Sequence, residues 1–134
     1  MTMRTRNNLL AAMRIDALDG AKYHRFAARA RMDEDWSLAR AFHETAQADE
    51  CNHFAKEAEL EGVVADSAEN LRRAIQSEQA GIKTFERFAE EARHDHDLTA
   101  AALFEEIIRD KAEHCTGFEA LLSEMGVHSE PQTV

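Results

Sequence analysis

The sequence predicts an all-α chain made of two copies of one helical hairpin, and three observations carry that prediction. Apolar residues recur in steps of three and four through four long stretches, the spacing of helices that each bury one face. The 134 residues include one Pro and five Gly, with 44% hydrophobic and 31% charged side chains, a composition that suits long helices better than sheets. The second half also repeats the first at an offset of 62, with about thirteen identities between residues 8 and 44. Asn8 and Leu9 match Asn70 and Leu71, and Arg25, Phe26 and Ala27 match Arg87, Phe88 and Ala89. Ala30 and Arg31 match Ala92 and Arg93, Asp33 and Asp35 match Asp95 and Asp97, and Phe42 matches Phe104. Two duplicated hairpins related by a pseudo-two-fold axis, forming a four-helix bundle, are the expected product.

The first helix is predicted from the seam Leu9, Ala12, Asp16, Asp19, Tyr23, Phe26 and Ala30, and the second from Ala39, Phe42, Ala46, Glu50, His53, Glu57 and Leu60. The third follows Leu71, Ala74, Glu78, Gly81, Phe85, Phe88 and Ala92. The fourth follows Phe104, Ile107, Lys111, His114, Phe118, Leu121 and Met125. Asp33 and Asp35 can cap the second helix, Asp95 and Asp97 the fourth. Gly62 is a C-terminal stop, and Asp66 with Glu69 forms a capping-box pattern before the third helix. The expected organisation is one domain over 1–134, with hairpins at about 6–62 and 66–126 and a disordered tail at 127–134. Each helix should run roughly 25 residues. Phe26, Phe42, Phe85, Phe88, Phe104 and Phe118 are expected in the core.

The formal net charge is −10, which gives no support to a nucleic-acid-binding surface. No apolar run approaches the ~20 residues of a membrane span, and the N-terminus lacks the apolar core of a signal peptide. Cys51 and Cys115 form no CxxC pair, so a reduced cytoplasm is the expected setting and both thiols read as packing residues. The partners expected are therefore neither nucleic acid nor membrane.

Each seam turns polar at its middle. Asp16 and Asp19 interrupt the first, Glu50 and His53 the second, Glu78 the third, and Lys111 and His114 the fourth. Counted from the turns near residues 34 and 96, these groups fall at one height. Unpaired buried carboxylates cost several kcal/mol each, so the layer must be paired, protonated or bound to metal. A carboxylate from each of two helices plus Glu-x-x-His from the others is the donor set of di-iron and di-manganese bundles. Glu50-Cys51-Asn52-His53 supplies one such motif at mid-seam; a second match, Glu91 to His94, lies off the seam. The remaining histidines, His24, His43, His94, His96 and His128, read as surface residues, with His43 a minor candidate for carrying protons to the layer.

SAENLRRAIQSEQ followed by KTFERFAEEA resembles the start of the second hairpin of rubrerythrins, in the ferritin-like superfamily, and KYHRFAARA with FHETAQADECNHFA resembles the first. The resemblance implies Asp16, Glu50, His53, Glu78 and His114 as metal ligands. It implies Tyr23 as a supporting residue whose hydroxyl reaches a ligand carboxylate. Asp19 and Asp110 are further candidate ligands. Two iron ions per site are implied, with manganese or a mixed pair also possible. With no rubredoxin domain evident, the chain resembles erythrin-type members. Three positions depart from the family pattern: Lys111 stands at the fourth-helix Glu, Gly81 at a third-helix Glu, and Asp16 is one methylene shorter than Glu. Two metals, one metal beside the Lys111 ammonium, or a metal-free polar layer all remain open on the residues alone.

The connection at Gly62 to Ala65 spans at most about 15 Å, against about 37 Å for a 25-residue helix. It cannot cross the bundle's length as ferritin-like topology demands. Either the third helix turns straight back, or two chains exchange hairpins; the swapped homodimer is the favoured expectation. The function the resemblance implies is peroxide reduction or Fe(II) oxidation, with a separate rubredoxin-like or flavoprotein electron donor. The alternatives are an iron-binding or storage protein, and a metal-free structural bundle in which Lys111 pairs with the carboxylates.

Overall fold

The computed structural model describes residues 1–126 and is helical throughout that range, with no strands among the described residues. The expected tail at 127–134, with His128, lies outside the described residues. The chain divides into two units, Met1–Val64 and the remainder from Ala65, and each is an antiparallel helical hairpin. No helix among the described residues is long and apolar enough to cross a membrane.

In the first hairpin α1 spans Met3–Met32, and Thr2 caps it by accepting a hydrogen bond from the Thr5 amide. The turn that follows puts Glu34 at φ 57°, and the Asp35 amide donates back to the Ala30 carbonyl. Asp35 then caps α2, Trp36–Gln47, by accepting from the Leu38 amide. The second hairpin repeats this corner 62 residues on: α4 spans Ser67–His94, His96 sits at φ 60°, and the Asp97 amide donates to Ala92. Asp97 occupies the N-cap of α5, Leu98–Glu124. Asp33 and Asp95 close the preceding helices instead of opening the next. At the start of α4 only half of the capping box forms. Asp66 accepts from the Glu69 amide, while the Glu69 carboxylate turns to Arg72 and Arg73.

The expectation of four uninterrupted helices needs one correction. Between α2 and α3, Ala55–Glu61, the backbone winds as a π-helix over Ala48–Phe54. The sequence contains the cause. Phe42 and Phe104 correspond at an offset of 62, but Asp49-Glu50-x-x-His53 and Asp110-Lys111-x-x-His114 correspond at 61. The first hairpin therefore carries one more residue in that interval. A π turn, bonded i to i+5, absorbs the extra residue without breaking the rod. Gly62, at φ 73°, then ends α3 in the left-handed conformation that glycine favours.

Small residues, joined in the second hairpin by Ile75 and Leu122, pack the helices together within each hairpin. Gly20, Ala27, Ala30, Ala39, Ala46 and Ala58 are buried in the first; Ile75, Ala89, Ala92, Ala101, Cys115 and Leu122 are buried in the second. Beside the turn each hairpin sets three rings together at repeat-equivalent positions. Tyr23, Phe26 and Phe42 lie 5.3–6.1 Å apart by centroid, and Phe85, Phe88 and Phe104 lie 5.5–5.8 Å apart. Phe26, expected in the core, stays 43% exposed, because a two-helix hairpin covers only one side of each ring.

Candidate metal centre

In the first hairpin α1 supplies Asp16 and the π segment supplies Asp49 and His53. One ligating atom from each lies within 4.8 Å of the others. Among the described residues this is the one His/Cys/Asp/Glu group that meets that condition. His53 Nδ1 is 3.3 Å from Asp49 Oδ1, and the Asp49 side chain is only 14% exposed. The π turn matters here. It takes more residues per turn than the ~3.6 of an α-helix, so it changes which way the Asp49–His53 pair, neighbours at a spacing of four, faces relative to the residues before it. Glu50, the expected partner of His53, lies elsewhere. Its Oε1 is 3.1 Å from His24 Nε2, and its Cγ packs where a Cβ on Gly20 would stand. His24, expected at the surface, is therefore half-buried against this carboxylate, with the His43 ring 6.1 Å away.

A fourth group stands beside this cluster: the Glu57 carboxyl faces Asp16, and its Oε1 is shut off from solvent with no hydrogen-bond partner. Burial, then the Asp16 carboxylate, push the Glu57 carboxyl above its ordinary pKa, and His53 pulls the other way. Two facing carboxyl groups hold either a proton or a cation between them. Glu57 lies on the predicted second seam but was not among its ligand candidates, whereas Asp49 lies off that seam and meets Asp16 only once the π turn has shifted the register. The change of repeat offset from 62 to 61 is the signal that would have found Asp49.

The second hairpin arranges its equivalent layer differently. Lys111 Nζ lies 3.4 Å from Glu78 Oε2, and His114 Nδ1 lies 3.8 Å from that same oxygen. Lys111 and Glu78 are 24% and 19% exposed, so this pair is far better shielded than an ordinary surface bridge. The ammonium also stands 5.7 Å from the centre of the Phe85 ring. Its stem runs past Gly81, where an added Cβ would meet Cε at 3.0 Å. Asp110 is exposed. Burial, with Glu119 and then Glu78, pushes the Cys115 thiol above its ordinary pKa, and Sγ donates to Glu119 Oε1 over 3.6 Å. Of the other candidates in the first hairpin, Asp19 pairs with Lys22 at 3.7 Å, and Tyr23 stacks on Phe42.

Residues 69–134 match the rubrerythrin family model. The second hairpin is rubrerythrin-like. No curated protein and no solved structure gives a significant match to the chain. Rubrerythrins typically hold two irons on carboxylates and histidines, and the first hairpin fits one such ion by donor chemistry. Carboxylate oxygens and an imidazole nitrogen bound at about 2.0–2.2 Å from one ion lie up to about 4.4 Å apart, so the observed cluster closes on a dication with small rotations. The second hairpin does not fit an ion in the same way, since the Lys111 ammonium is on Glu78 already.

Proposed function

We propose that the chain is a non-haem metal protein of rubrerythrin type, holding a redox-active dication, iron foremost, in the first hairpin. Peroxide reduction or Fe(II) oxidation is its proposed reaction. The carrying observation is the Asp16, Asp49 and His53 constellation at mid-hairpin. Bound iron would supply one-electron chemistry toward O–O bonds. The chain's own residues do the rest. Asp49 orients the His53 ring through Nδ1, and the Glu57 carboxyl, its pKa raised by burial and then by Asp16, gives up its proton less readily than a free carboxyl. Converting one H2O2 to two waters consumes two electrons and two protons, so a separate electron donor is part of the proposal. A second copy of the chain, as a hairpin-swapped homodimer, is the proposed partner; Ile15, Leu18, Leu60 and Leu103 are exposed apolar side chains for it to cover.

The test is direct. Protein loaded with Fe(II) without oxygen should consume peroxide as ferric absorbance rises, and Asp49→Ala should remove both signals. Iron uptake without peroxide or oxygen consumption would overturn the redox reading and leave a binding or storage role. The metal-free structural reading is favoured for one region alone, the Lys111–Glu78 pair.

A further inference from the structure

The two hairpins meet the same electrostatic need by different means. In the first, Asp16, Asp49 and His53 bring two carboxylates and an imidazole to one place, and the Glu57 carboxyl stands beside Asp16. The Glu57 Oε1 atom is sealed from solvent and has no hydrogen-bond partner. A buried carboxylate oxygen left in that condition is costly unless a cation reaches it. Along the rod, positions 49, 53 and 57 succeed each other every four residues, and the π turn keeps the first of them on the face of the other two. All four donors come from the first hairpin.

In the second hairpin the corresponding cation is covalently attached. Lys111 falls at the repeat position of Glu50, at an offset of 61, whereas Gly81 falls at that of Asp19, at the offset of 62 that α1 and α4 keep. Each glycine leaves the slot in which the opposite side chain lies: Glu50 in one hairpin, Lys111 in the other. The Lys111 ammonium reaches Glu78 Oε2 from that slot and lies against Phe85. Glu78 is thereby neutralised without an ion.

We infer that this chain binds one dication, not two. The ion sits wholly within the first hairpin with Glu57 as its fourth protein ligand, and the Lys111 ammonium replaces a second ion at Glu78. This rests on the metal reading above and deepens it, because it fixes the stoichiometry and the ligand set.

The test is an anaerobic titration of the full chain with Co(II), read by its visible absorption, and with Mn(II), read by electron paramagnetic resonance. The expected endpoint is one ion per chain. Glu57→Gln should weaken binding by at least about tenfold and alter the Co(II) spectrum, whereas Glu78→Gln should leave endpoint and affinity as they were. Lys111→Glu should raise the endpoint toward two. Two ions per chain in the unaltered protein would overturn the inference while leaving the metal reading intact. So would Glu78→Gln weakening the first ion as much as Glu57→Gln, an unchanged Co(II) spectrum in Glu57→Gln, or an unchanged endpoint in Lys111→Glu. No uptake of either metal would overturn both. Far-ultraviolet circular dichroism of each variant separates lost ligation from lost folding.

Discussion

The two hairpins share a frame and differ at one layer. The left-handed residues Glu34 and His96, the caps Asp35 and Asp97, and the ring triples around Phe42 and Phe104 recur at a constant offset. Below the rings the copies part. One extra residue winds a π turn into the first hairpin and turns Asp49 and His53 toward Asp16. The second keeps a regular α-helix and places Lys111 against Glu78. A duplicated scaffold can thus keep an anionic layer in two ways, with an exchangeable ion or with a tethered ammonium. The tethered form is specific and permanent, while the exchangeable one leaves room for redox chemistry. The rubrerythrin match falls on the second hairpin, whereas the Asp16, Asp49 and His53 cluster lies in the first.

The sharpest way to break this contrast is to compare two adjacent carboxylates. Asp49→Ala removes a donor from the cluster and should weaken metal binding by about 100-fold, at or above the ~10–100-fold commanded by outer-shell partners. Glu50→Ala removes the partner of His24 and should cost no more than about tenfold. Equilibrium titration with Co(II) measures both. A larger loss for Glu50→Ala would mean that the regular Glu-x-x-His geometry, and not the π register, holds the ion.

That pair of residues also marks where the sequence stopped being legible. Helix ends were readable because caps are local: Asp35, Asp66 and Gly62 each act within one turn of their own position. The polar layer was readable because charged side chains on a helical seam stand out against the apolar pattern. Which carboxylate enters the cluster was not readable, since a seam drawn at 3.6 residues per turn assigns Glu50 and passes over Asp49. A single π turn reverses that assignment while leaving every helix end in place. Lys111 was readable as a departure from the family pattern, but its slot was not, because the slot is the missing side chain of Gly81 thirty residues away in sequence.

A smaller effect separates the hairpins through pH. In the metal-free chain the Glu57 carboxyl has its pKa raised above the ordinary value by burial and by Asp16. The folded state therefore keeps a proton that the unfolded chain releases first. Its contribution to stability is fullest below the ordinary carboxylate range and is lost as pH rises through the elevated pKa. Glu57→Gln imitates the protonated form, so its Tm relative to the unaltered metal-free protein should climb as pH rises above the ordinary carboxylate range. Added metal should reverse the order, because only the unaltered protein keeps all four donors. Thermal scans at several pH values, with and without Mn(II), check both halves; parallel curves for the two proteins would show that Glu57 does not face Asp16 as described.

The smallest effect compares the two glycine slots. Alanine gains about 0.5–1 kcal/mol over glycine in a helix interior when nothing obstructs it. At Gly81 the obstruction is the far end of Lys111: Cε at 3.0 Å, Cδ at 3.1 Å and Nζ at 3.2 Å. Those atoms can swing aside for the loss of a partly shielded ion pair, about 0–1 kcal/mol by the scale of exposed pairs. Gly81→Ala should therefore leave stability within about 0.5 kcal/mol of the starting value while moving the ammonium off Glu78. At Gly20 the nearest atom is Cγ of Glu50, at 3.0 Å, one bond from the part of the side chain fixed to the rod. It has less freedom to yield, and displacing it also breaks the contact with His24. Gly20→Ala should cost about 1 kcal/mol. Urea unfolding of the two variants measures the difference, and a Gly20→Ala protein as stable as its Gly81→Ala counterpart would show that Glu50 is no more tightly placed than Lys111.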